Sequence, residues 1–570
     1  MQPETKQCQN CQKDFTIEPE DFSFYEKIKV PPPTWCPECR TIRRLLWRNE
    51  RNWYHRKCDA TGQSILSMYP ADSPLKVYDN EYWKSDAWDP LEHGREYDFS
   101  KKFFVQFKKL FSDVPHPNLV QKNNVNSKYS NYTVNLKNCY FCAGCVTGED
   151  NAYIFGGLLR IKNCLDLHQS PECEFCYELV DSQKSNHFFF GQSCEACVDS
   201  MLMYDCRNCT NCFGCVGLRG KNNCIFNTQY SKEEYAEKIE EYRNGSYSKL
   251  LEAKEKFEKL KLKTPRKYAI INKSVNVTGD DIMEAKNCKQ CFNLRGNVED
   301  CKYSFRVHDN SKDGQDAFIA WDKAEVFYEA VSISGQRIFF SAFIWGGFDV
   351  LYSYNCYDCN NIFGCIGLRN KSYCILNRQY TKEEYAKLTE KIIESMKKVG
   401  EYGEFFPTSD YPFCYNETLA QDYFPKSKEE ILEKGYEWRE SEEKKYEISI
   451  RTEEIPDNIS DVPDSFTEEV IECAHRGKCN DQCATAFRLI DSEIKFYKKN
   501  KIPLPRLCPL CRHMERIKMK TPLRLWHRSC MCDKGNHGHE GKCSNEFETS
   551  YAPERPEIVY CESCYQKEVY

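Results

Sequence analysis

Cysteine thiols carry most of the chemistry that this sequence could perform, and there are 36 of them in 570 residues. Near the start, Cys8 and Cys11 form one Cys-x-x-Cys pair, and Cys36 and Cys39 form another further along the chain. Two such pairs turn four thiolates towards one point, which is the ligand set of tetrahedral Zn²⁺. Because four sulfurs leave no open position for water, we expect structural zinc here and assign no catalytic residue.

The C-terminal region repeats this arrangement, with the same distance between the end of its first cysteine pair and the start of its second. An offset of 472 places Phe15 on Phe487 and the segment CPECR on CPLCR without a gap. Chance does not readily produce such a register, so the sequence predicts a duplicated zinc ribbon. The ligands predicted for the C-terminal copy are Cys479, Cys483, Cys508 and Cys511.

A further metal site is predicted near the end of the chain, where five thiols lie close to His527, His537 and His539. The Cys-x-x-Cys pair CESC at 561–564 supplies two of its ligands. Either Cys530 or Cys532 would complete it with Cys543, and Cys473 is a spare candidate. The set chosen is Cys532, Cys543, Cys561 and Cys564. With the two ribbons, this predicts about three Zn²⁺ per chain.

Both ends of the chain resemble a bacterial family of zinc-ribbon domains with the pattern C-x-x-C, Phe-Tyr, Pro and C-x-x-C-R. The resemblance covers about 50 residues at each end, and it implies zinc at the ribbon cysteines and no catalytic chemistry. The whole layout, with PFCYNET at 412–418 and FETSYAPERPEIVYC at 547–561, is similar to cysteine-rich bacterial proteins that sometimes carry a carnitine-type CoA-transferase label. No pattern in this sequence supports that activity.

A second duplication occupies the middle of the chain. An offset of 150 aligns residues 204–242 with 354–392 without gaps, and 22 of these 39 positions are identical. Upstream, KNCYFC at 137–142 matches KNCKQC at 286–291 at an offset of 149. The centre therefore holds two copies of a unit of about 105 residues, and each copy ends at a helix capping box, SKEE or TKEE.

Inside each unit, short apolar segments alternate with Asn, Asp, Gly and Cys, a pattern that favours a β-solenoid. Taking Cys145, Cys176, Cys197 and Cys215 as equivalent positions gives unequal spacings that shorten along the chain. These spacings predict irregular coils of about 20 residues.

The run CRNCTNCFGC at 206–215 has a cysteine at every third position and could bind zinc, hold an iron–sulfur cluster or pack in the core. Its partner in the second unit is CYDCNNIFGC, in which Ile362 stands in place of Cys212. Isoleucine cannot bind a metal, whereas a buried cysteine behaves as a small apolar residue. The exchange favours a packed solenoid interior, with the Asn and Gly residues of the run at its corners.

Two basic segments that follow the ribbon cysteines suggest nucleic acid as a partner. Residues 40–57 carry seven Lys or Arg against one Glu, and residues 506–528 carry seven against one, in both cases with Trp between them. Cations neutralise phosphates, and aromatic rings stack on unpaired bases. The alternative is a solvated helix face whose tryptophans pack on the ribbon. The side chains predicted to contact nucleic acid are Arg40, Arg43, Arg44, Arg48, Arg512, Arg516 and Lys518.

The predicted fold is multidomain and mainly β, with zinc ribbons at both termini flanking a duplicated β-solenoid-like centre with helical connections. The predicted domains are 1–58 for the N-terminal ribbon, 59–125 for a mixed α/β connection, 126–230 for the first unit, 231–285 for a helical insertion, 286–380 for the second unit, 381–472 for a helical and acidic linker, and 473–570 for the C-terminal ribbon with the further zinc site.

The sequence has no apolar run of the roughly 18 residues that span a membrane, and its start, MQPETKQCQN, lacks an export signal, so we expect a cytoplasmic protein. The predicted function is a zinc-stabilised modular binding or scaffold protein that contacts RNA or a ribonucleoprotein through its ribbons. A protein-interaction scaffold built on the solenoid is the alternative. An enzyme is the weakest interpretation, since no Gly-rich phosphate loop, nucleophile elbow or HExxH motif occurs.

Overall fold

The computed structural model describes residues 2–156, 159–440, 446–479 and 481–569. These residues form a mainly β protein with a duplicated β-solenoid at its centre and cysteine clusters at both ends, as predicted. Residues 441–445 of the predicted acidic linker lie outside the described residues. The helices of the described part are α1 (Pro19–Ile28), α2 (Pro37–Leu45), α3 (Asn80–Lys84), α4 (Phe103–Asp113), α5 (Lys232–Ile239), α6 (Tyr247–Lys263), α7 (Lys382–Lys398), α8 (Leu419–Tyr423), α9 (Lys428–Glu433), α10 (Asp491–Asn500), α11 (Pro509–Lys518) and α12 (Glu562–Val569).

The N-terminal part contains two antiparallel hairpins. The first carries a cysteine pair at its turn and leads into α1 and α2, and α2 begins at Pro37, the position where a missing N–H costs nothing. The second hairpin is followed by a short strand that pairs with the start of the solenoid. These strands are β1 (Glu4–Gln7), β2 (Asp14–Ile17), β3 (Tyr54–Lys57), β4 (Ser64–Ser67) and β5 (Val77–Tyr78).

The first solenoid unit is built from parallel strands that return at a nearly constant interval. Tyr177 pairs with Phe189, and Phe189 pairs with Met201, so one coil takes twelve residues. The strands of this unit are β6 (His116–Pro117), β7 (Gln121–Lys122), β8 (Ser130–Asn131), β9 (Thr133–Lys137), β10 (Cys142–Ala143), β11 (Val146–Glu149), β12 (Ile161–Lys162), β13 (Leu165–His168), β14 (Tyr177–Val180), β15 (Asn186–Gln192), β16 (Val198–Tyr204), β17 (Thr210–Phe213), β18 (Asn222–Ile225) and β19 (Thr228–Gln229).

The second unit repeats this design with some longer coils. Phe305 pairs with Phe318, and Phe318 pairs with Val331, so these coils take thirteen residues. The unit is preceded by β20 (Arg266–Lys267), which pairs with Val559–Tyr560 near the end of the chain. Its own strands are β21 (Ile271–Asn272), β22 (Gly279–Met283), β23 (Ala285–Lys286), β24 (Cys291–Arg295), β25 (Val298–Lys302), β26 (Phe305–His308), β27 (Lys312–Ala320), β28 (Glu325–Leu351), β29 (Tyr357–Phe363), β30 (Ser372–Ile375) and β31 (Arg378–Gln379). Each unit ends in an antiparallel hairpin, β18–β19 or β30–β31, and a capped helix.

The coil has an inner period of three residues. Asp205, Asn208, Asn211 and Gly214 all have positive φ, between 48° and 67°, which is the left-handed region that Asn, Asp and Gly tolerate best. Each is followed by a buried cysteine that points into the solenoid. The run at 206–215 therefore supplies the four inward positions of one coil, and its asparagines and glycine form the corners, as predicted.

Inward thiols also satisfy the backbone of the solenoid. The thiol of Cys206 donates to the carbonyl of Tyr204 (3.4 Å), and the amide of Cys206 donates to the sulfur of Cys194, one coil earlier (3.4 Å). The hydroxyl of Ser182 plays the same part for the amide of Cys194 (3.2 Å). Cysteine suits these positions because it is a small apolar residue that still has a weak donor and acceptor.

Two predictions about the interior have different outcomes. Cys212 and Ile362 are 1% and 0% exposed at equivalent inward positions, which confirms core packing of this pair. The predicted coil length of about 20 residues is wrong, since most coils take twelve or thirteen residues. The error arose because cysteines face inwards from every side of a coil. The spacing of Cys145, Cys176, Cys197 and Cys215 therefore mixed different sides.

The N-terminal part packs on the second solenoid unit, and the C-terminal part packs on the first. Aromatic residues of the N-terminal part, such as Trp47, share one core with the outer face of the second unit, where Trp47 lies 5.4 Å from Tyr354 between ring centroids. The C-terminal part shares another core with the first unit, where Tyr177 contacts Tyr497 at 5.4 Å. The C-terminal strands are β32 (Ile471–Glu472), β33 (Ala486–Phe487), β34 (Trp526–Ser529), β35 (Glu546–Thr549) and β36 (Val559–Tyr560). None of the helices in the described ranges combines the length and the apolar character that crossing a membrane requires.

Candidate metal centres

The N-terminal cluster brings together all four predicted cysteines. Cys8 and Cys11 lie in the turn between β1 and β2, and Cys36 and Cys39 lie at the first turn of α2. Their four sulfurs lie within 4.8 Å of one another, and those of Cys11 and Cys36 are 3.7 Å apart. A Zn–S bond of about 2.3 Å separates tetrahedral sulfurs by about 3.8 Å, so this geometry fits the ion.

Hydrogen bonds and the helix start favour thiolates in this cluster. The amide of Cys36 donates to the sulfur of Cys8 (3.2 Å), and the side-chain amide of Asn10 donates to the sulfur of Cys39 (3.2 Å). The thiol of Cys39 is the main cause that lowers the pKa of Cys36 to about 5, against the opposing effect of burial, and the same contact raises the pKa of Cys39. A helix N-terminus adds a favourable partial positive charge.

The C-terminal ribbon forms a four-cysteine cluster with a different first member from the one predicted. Cys473, Cys483, Cys508 and Cys511 lie within 4.8 Å of one another, and three of them belong to the predicted set. The amide of Cys508 donates to the sulfur of Cys473 (3.3 Å), as the amide of Cys36 does to that of Cys8. Cys473 therefore occupies the place of Cys8.

Strand register explains why Cys473, and not Cys479, is the first cysteine of this cluster. β32 pairs with β33 so that Glu472 faces Ala486, just as Gln7 faces Asp14 in β1–β2, and the next residue is Cys473 or Cys8. Two residues lie between Cys8 and Cys11, but nine lie between Cys473 and Cys483. A gap-free alignment could not detect this insertion, and only the strand preceding it shows where the first ligand lies.

The predicted ligand Cys479 lies inside the insertion, next to the four-cysteine cluster. Its sulfur is 3.7 Å from that of Cys511, and together with His475 these residues form a separate group of three possible ligands. Cys479 thus lies beside the cluster, and the four-sulfur set is complete without it.

The further C-terminal site contains Cys530, Cys543, Cys561 and Cys564, with all four sulfurs within 4.8 Å. Three of them were predicted, and of the two alternatives left open it is Cys530 that joins the four-cysteine set. The amide of Cys561 donates to the sulfur of Cys530 (3.2 Å), and the sulfurs of Cys543 and Cys561 are 3.9 Å apart.

The predicted ligand Cys532 lies in a loop beside this site. Its sulfur is 3.2 Å from Nδ1 of His537, and Nε2 of His539 is 3.4 Å from the sulfur of Cys564. Cys532, His539 and Cys564 form a second group of three possible ligands. As at the ribbon, the C-terminal half places an extra Cys and His next to a complete four-cysteine set.

The N-terminal part contains the same hairpin with one of the four cysteines. β3–β4 pairs Tyr54 with Ser67 as β34–β35 pairs Trp526 with Thr549, and the amide of Asp79 donates to the sulfur of Cys58 (3.2 Å) as that of Cys561 does to Cys530. In this register Cys58, Thr61, Asp79 and Tyr82 stand where the C-terminal half has Cys530, Cys543, Cys561 and Cys564.

The N-terminal arginines predicted to bind nucleic acid are buried in an internal interface. Arg40, Arg43 and Arg44 are 1–2% exposed. Arg40 and Arg44 pair with Asp316 at 2.9 and 3.0 Å, and Arg43 pairs with Glu329 at 2.7 Å. These acids belong to β27 and β28, so α2 is clamped onto the second unit. Arg48 is also buried and pairs with Glu50 at 2.7 Å.

The C-terminal arginines mirror this arrangement on the first unit. Arg512 and Arg516 pair with Asp166 at 3.0 and 2.9 Å, and Arg516 also pairs with Glu178 at 3.0 Å. Lys518 has a side chain 53% exposed, but it pairs with Asp481 and Glu515. Six of the seven predicted cations are thus buried against the protein itself. This corrects the expectation that they face a nucleic acid, and the alternative of a solvated helix face is equally wrong.

Comparisons with known proteins assign no family to the chain. No protein-family model matches it, and no curated protein matches it. A crystal structure from Desulfovibrio desulfuricans G20, described as a proposed acetyltransferase, is 11% identical and covers 47% of this chain and 70% of that chain. Its TM-score of 0.10 carries no argument about fold or function.

Proposed function

We propose that the protein is a zinc-stabilised binding scaffold in which three four-cysteine sites lock terminal domains onto a duplicated β-solenoid. One observation carries this proposal: in each ribbon, the helix that begins at two cluster cysteines also carries the arginines that pair with the solenoid. Cys36 and Cys39 precede Arg40, Arg43 and Arg44 on α2, and Cys508 and Cys511 precede Arg512 and Arg516 on α11.

Zinc would act structurally at these sites. Four protein sulfurs close the coordination sphere and leave no position for substrate or water. The ion would fix the first turn of α2 or α11, and the helix would then present guanidinium groups to buried carboxylates. A buried charge is costly without its partner, so the position of the helix and the fold of the solenoid depend on each other.

The binding partner is a separate part of this proposal. Contact with RNA through the ribbon arginines loses its support, since those side chains are engaged with the solenoid. The solenoid is then the candidate binding surface, for a protein or another extended partner. A reducing, cytoplasmic setting agrees with inward cysteines that hydrogen-bond as thiols in the coils.

Chelation tests the structural role of the metal. We expect a strong chelator of zinc to expose α2 and α11 to hydrogen exchange. The helices α5 and α7 should stay protected longer, because they follow the solenoid units and carry none of the clustered cysteines. Restoring zinc should restore protection. Unchanged exchange of α2 and α11 in protein shown to be metal-free would contradict the proposal.

A further inference from the structure

A cleft of about 700 Å³ lies between the two solenoid units. Its walls include Tyr132 and Val146 from the first unit and Trp321, Trp345 and Tyr357 from the second. Volumes of this size are typical of sites that enclose small organic ligands. The cleft is distinct from the metal centres, because its described lining contains no member of the cysteine clusters.

An aromatic strip runs along the second unit inside this cleft. Trp345 pairs with Tyr357 in the next coil, and Tyr357 pairs with Arg369 in the coil after that. The ring centroids of Trp321 and Trp345 are 5.9 Å apart, and those of Trp345 and Tyr357 are 5.3 Å apart. All three rings are only partly buried. Successive rings along a solenoid provide stacking surfaces for flat groups.

The first unit shows that the coil itself does not need these rings. At the equivalent register it has Glu195, Arg207 and Arg219, which pair coil to coil in the same order. Arg207 and Glu195 form an ordinary ion pair at 3.0 Å. One copy of the duplication thus has a charged ladder where the other has Trp345 and Tyr357, so the aromatic strip is specific to the second unit.

Cations surround one end of the strip. Lys84, Lys122 and Arg369 line the cleft, and none of them pairs with a carboxylate within 4.0 Å among the described residues. Arg369 donates instead to the carbonyl of Ser85 (3.0 Å) and lies over Trp83. The ammonium group of Lys84 donates to the carbonyl of Gln121. The lining also contains Glu172, Asp309, Asp322 and Asp358, which its lysines and arginines outnumber by seven to four. Such a group of cations favours an anionic ligand.

A buried histidine adds unused hydrogen-bonding capacity to the same cleft. His308 is 4% exposed, and neither ring nitrogen has a hydrogen-bond partner in the described structure. Burial, together with Arg295 and Arg306, lowers the pKa of His308 to about 3, so its ring is neutral. A neutral imidazole offers one donor and one acceptor, and buried polar groups of this kind normally have partners.

We propose that this cleft binds a planar base carrying phosphate, as single-stranded RNA or as a free nucleotide. Bases would stack on Trp321, Trp345 and Tyr357, and phosphate would lie near Lys122 and Arg369. The unpaired cations favour this ligand over a neutral oligosaccharide, which also stacks on aromatic rings. The inference rests on the proposed binding role of the scaffold and names its ligand.

Fluorescence anisotropy of zinc-loaded, full-length protein with labelled hexauridylate tests the site, with uridine monophosphate as competitor. We expect Trp345→Glu, which installs the residue that the first unit has, to weaken binding by about 5- to 100-fold. Lys122→Ala should weaken it less and reduce the salt slope by about 1. Arg207→Ala, on the equivalent ladder of the first unit, is the matched control and should leave affinity unchanged.

Each outcome decides a separate question. If uridine monophosphate displaces the labelled hexauridylate at the same concentration of bases as unlabelled hexauridylate does, the cleft is a nucleotide site. If only unlabelled hexauridylate displaces the probe, the cleft is a site for a strand. Equal affinity of Trp345→Glu and the unchanged protein, or displacement by a neutral oligosaccharide, would overturn the proposal. Metal content and circular dichroism of every variant separate this failure from failure of the zinc-stabilised scaffold.

Discussion

The two hairpin modules, one following each ribbon, have the same strand register but differ at three of four cysteine positions. The C-terminal module brings four sulfurs together, whereas the N-terminal module keeps Cys58 and has Thr61, Asp79 and Tyr82 at the other three positions. The N-terminal module instead buries Trp83, whose indole N–H donates to the carbonyl of Pro115 (2.9 Å). Trp83 also contacts Trp88 and Tyr357. Aromatic packing in one half thus takes the place of a four-cysteine cluster in the other.

The ribbons differ in a subtler way. Both have four clustered cysteines and both dock on an aspartate of the opposite unit, Asp316 or Asp166. Only the C-terminal ribbon has an insertion that carries His475 and Cys479 beside the cluster. The duplicated parts therefore agree in the contacts that hold the fold together and differ at the loops next to the cysteine clusters.

The largest contrast should come from removing one cysteine in each hairpin module. Cys561→Ser should release one metal ion and unfold the C-terminal module, because structural zinc contributes about 10–16 kcal/mol in small domains. Cys58→Ser should keep the metal content and cost only about 1 kcal/mol. Metal analysis and limited proteolysis report both effects, and equal damage by the two variants would refute the comparison.

Next in size is the choice between Cys473 and Cys479 as a ribbon ligand. Cys473→Ser should lower the metal content by one ion per chain, since the other three sulfurs would be left with an open position. Cys479→Ser should keep the full content, because it lies outside the four-sulfur set. The reverse result would restore the ligand assignment made from sequence spacing.

Breaking the buried clamps should have similar effects in the two halves. Asp316→Asn and Asp166→Asn each remove the charge of one carboxylate that two buried arginines share. The arginines keep Glu329 in one half and Glu493 and Glu178 in the other, so we expect a loss of at most about 3–5 kcal/mol in the free energy of unfolding. Urea unfolding measures this loss. Lys518→Ala, which removes a largely exposed cation, should cost less than about 1 kcal/mol and serves as the control.

The smallest effect is expected inside the solenoid. Cys212→Ile introduces the residue that the second unit has at this position, but it adds two side-chain atoms and removes the thiol that donates to the carbonyl of Thr210. It should therefore lower the free energy of unfolding by about 1–3 kcal/mol and release no metal. Metal loss from this variant, measured by the same elemental analysis, would place the central cysteines among the ligands after all.

The sequence predicted the features that depend on local pattern. Cysteine spacing located all four members of the N-terminal cluster, and the presence of Ile362 at the position equivalent to Cys212 distinguished the core cysteines from the clustered ones. The coil length was predicted wrongly because an inward-facing residue occurs at every third position, once on each side of a coil. The sequence alone does not show which cysteines lie on the same side. The prediction that the arginines contact nucleic acid was wrong for another reason. Their carboxylate partners lie far away along the chain, as Asp316 does from Arg44, so no local pattern connects them.

The most direct test of the account is zinc K-edge X-ray absorption on quantified, full-length protein. We predict three zinc ions per chain, in line with the three four-cysteine clusters, each bound by four sulfurs at about 2.3 Å. An average first shell that includes histidine nitrogen would place His475 or His539 among the ligands. Fewer than two ions per folded chain, or a visible iron–sulfur absorption band, would contradict the account.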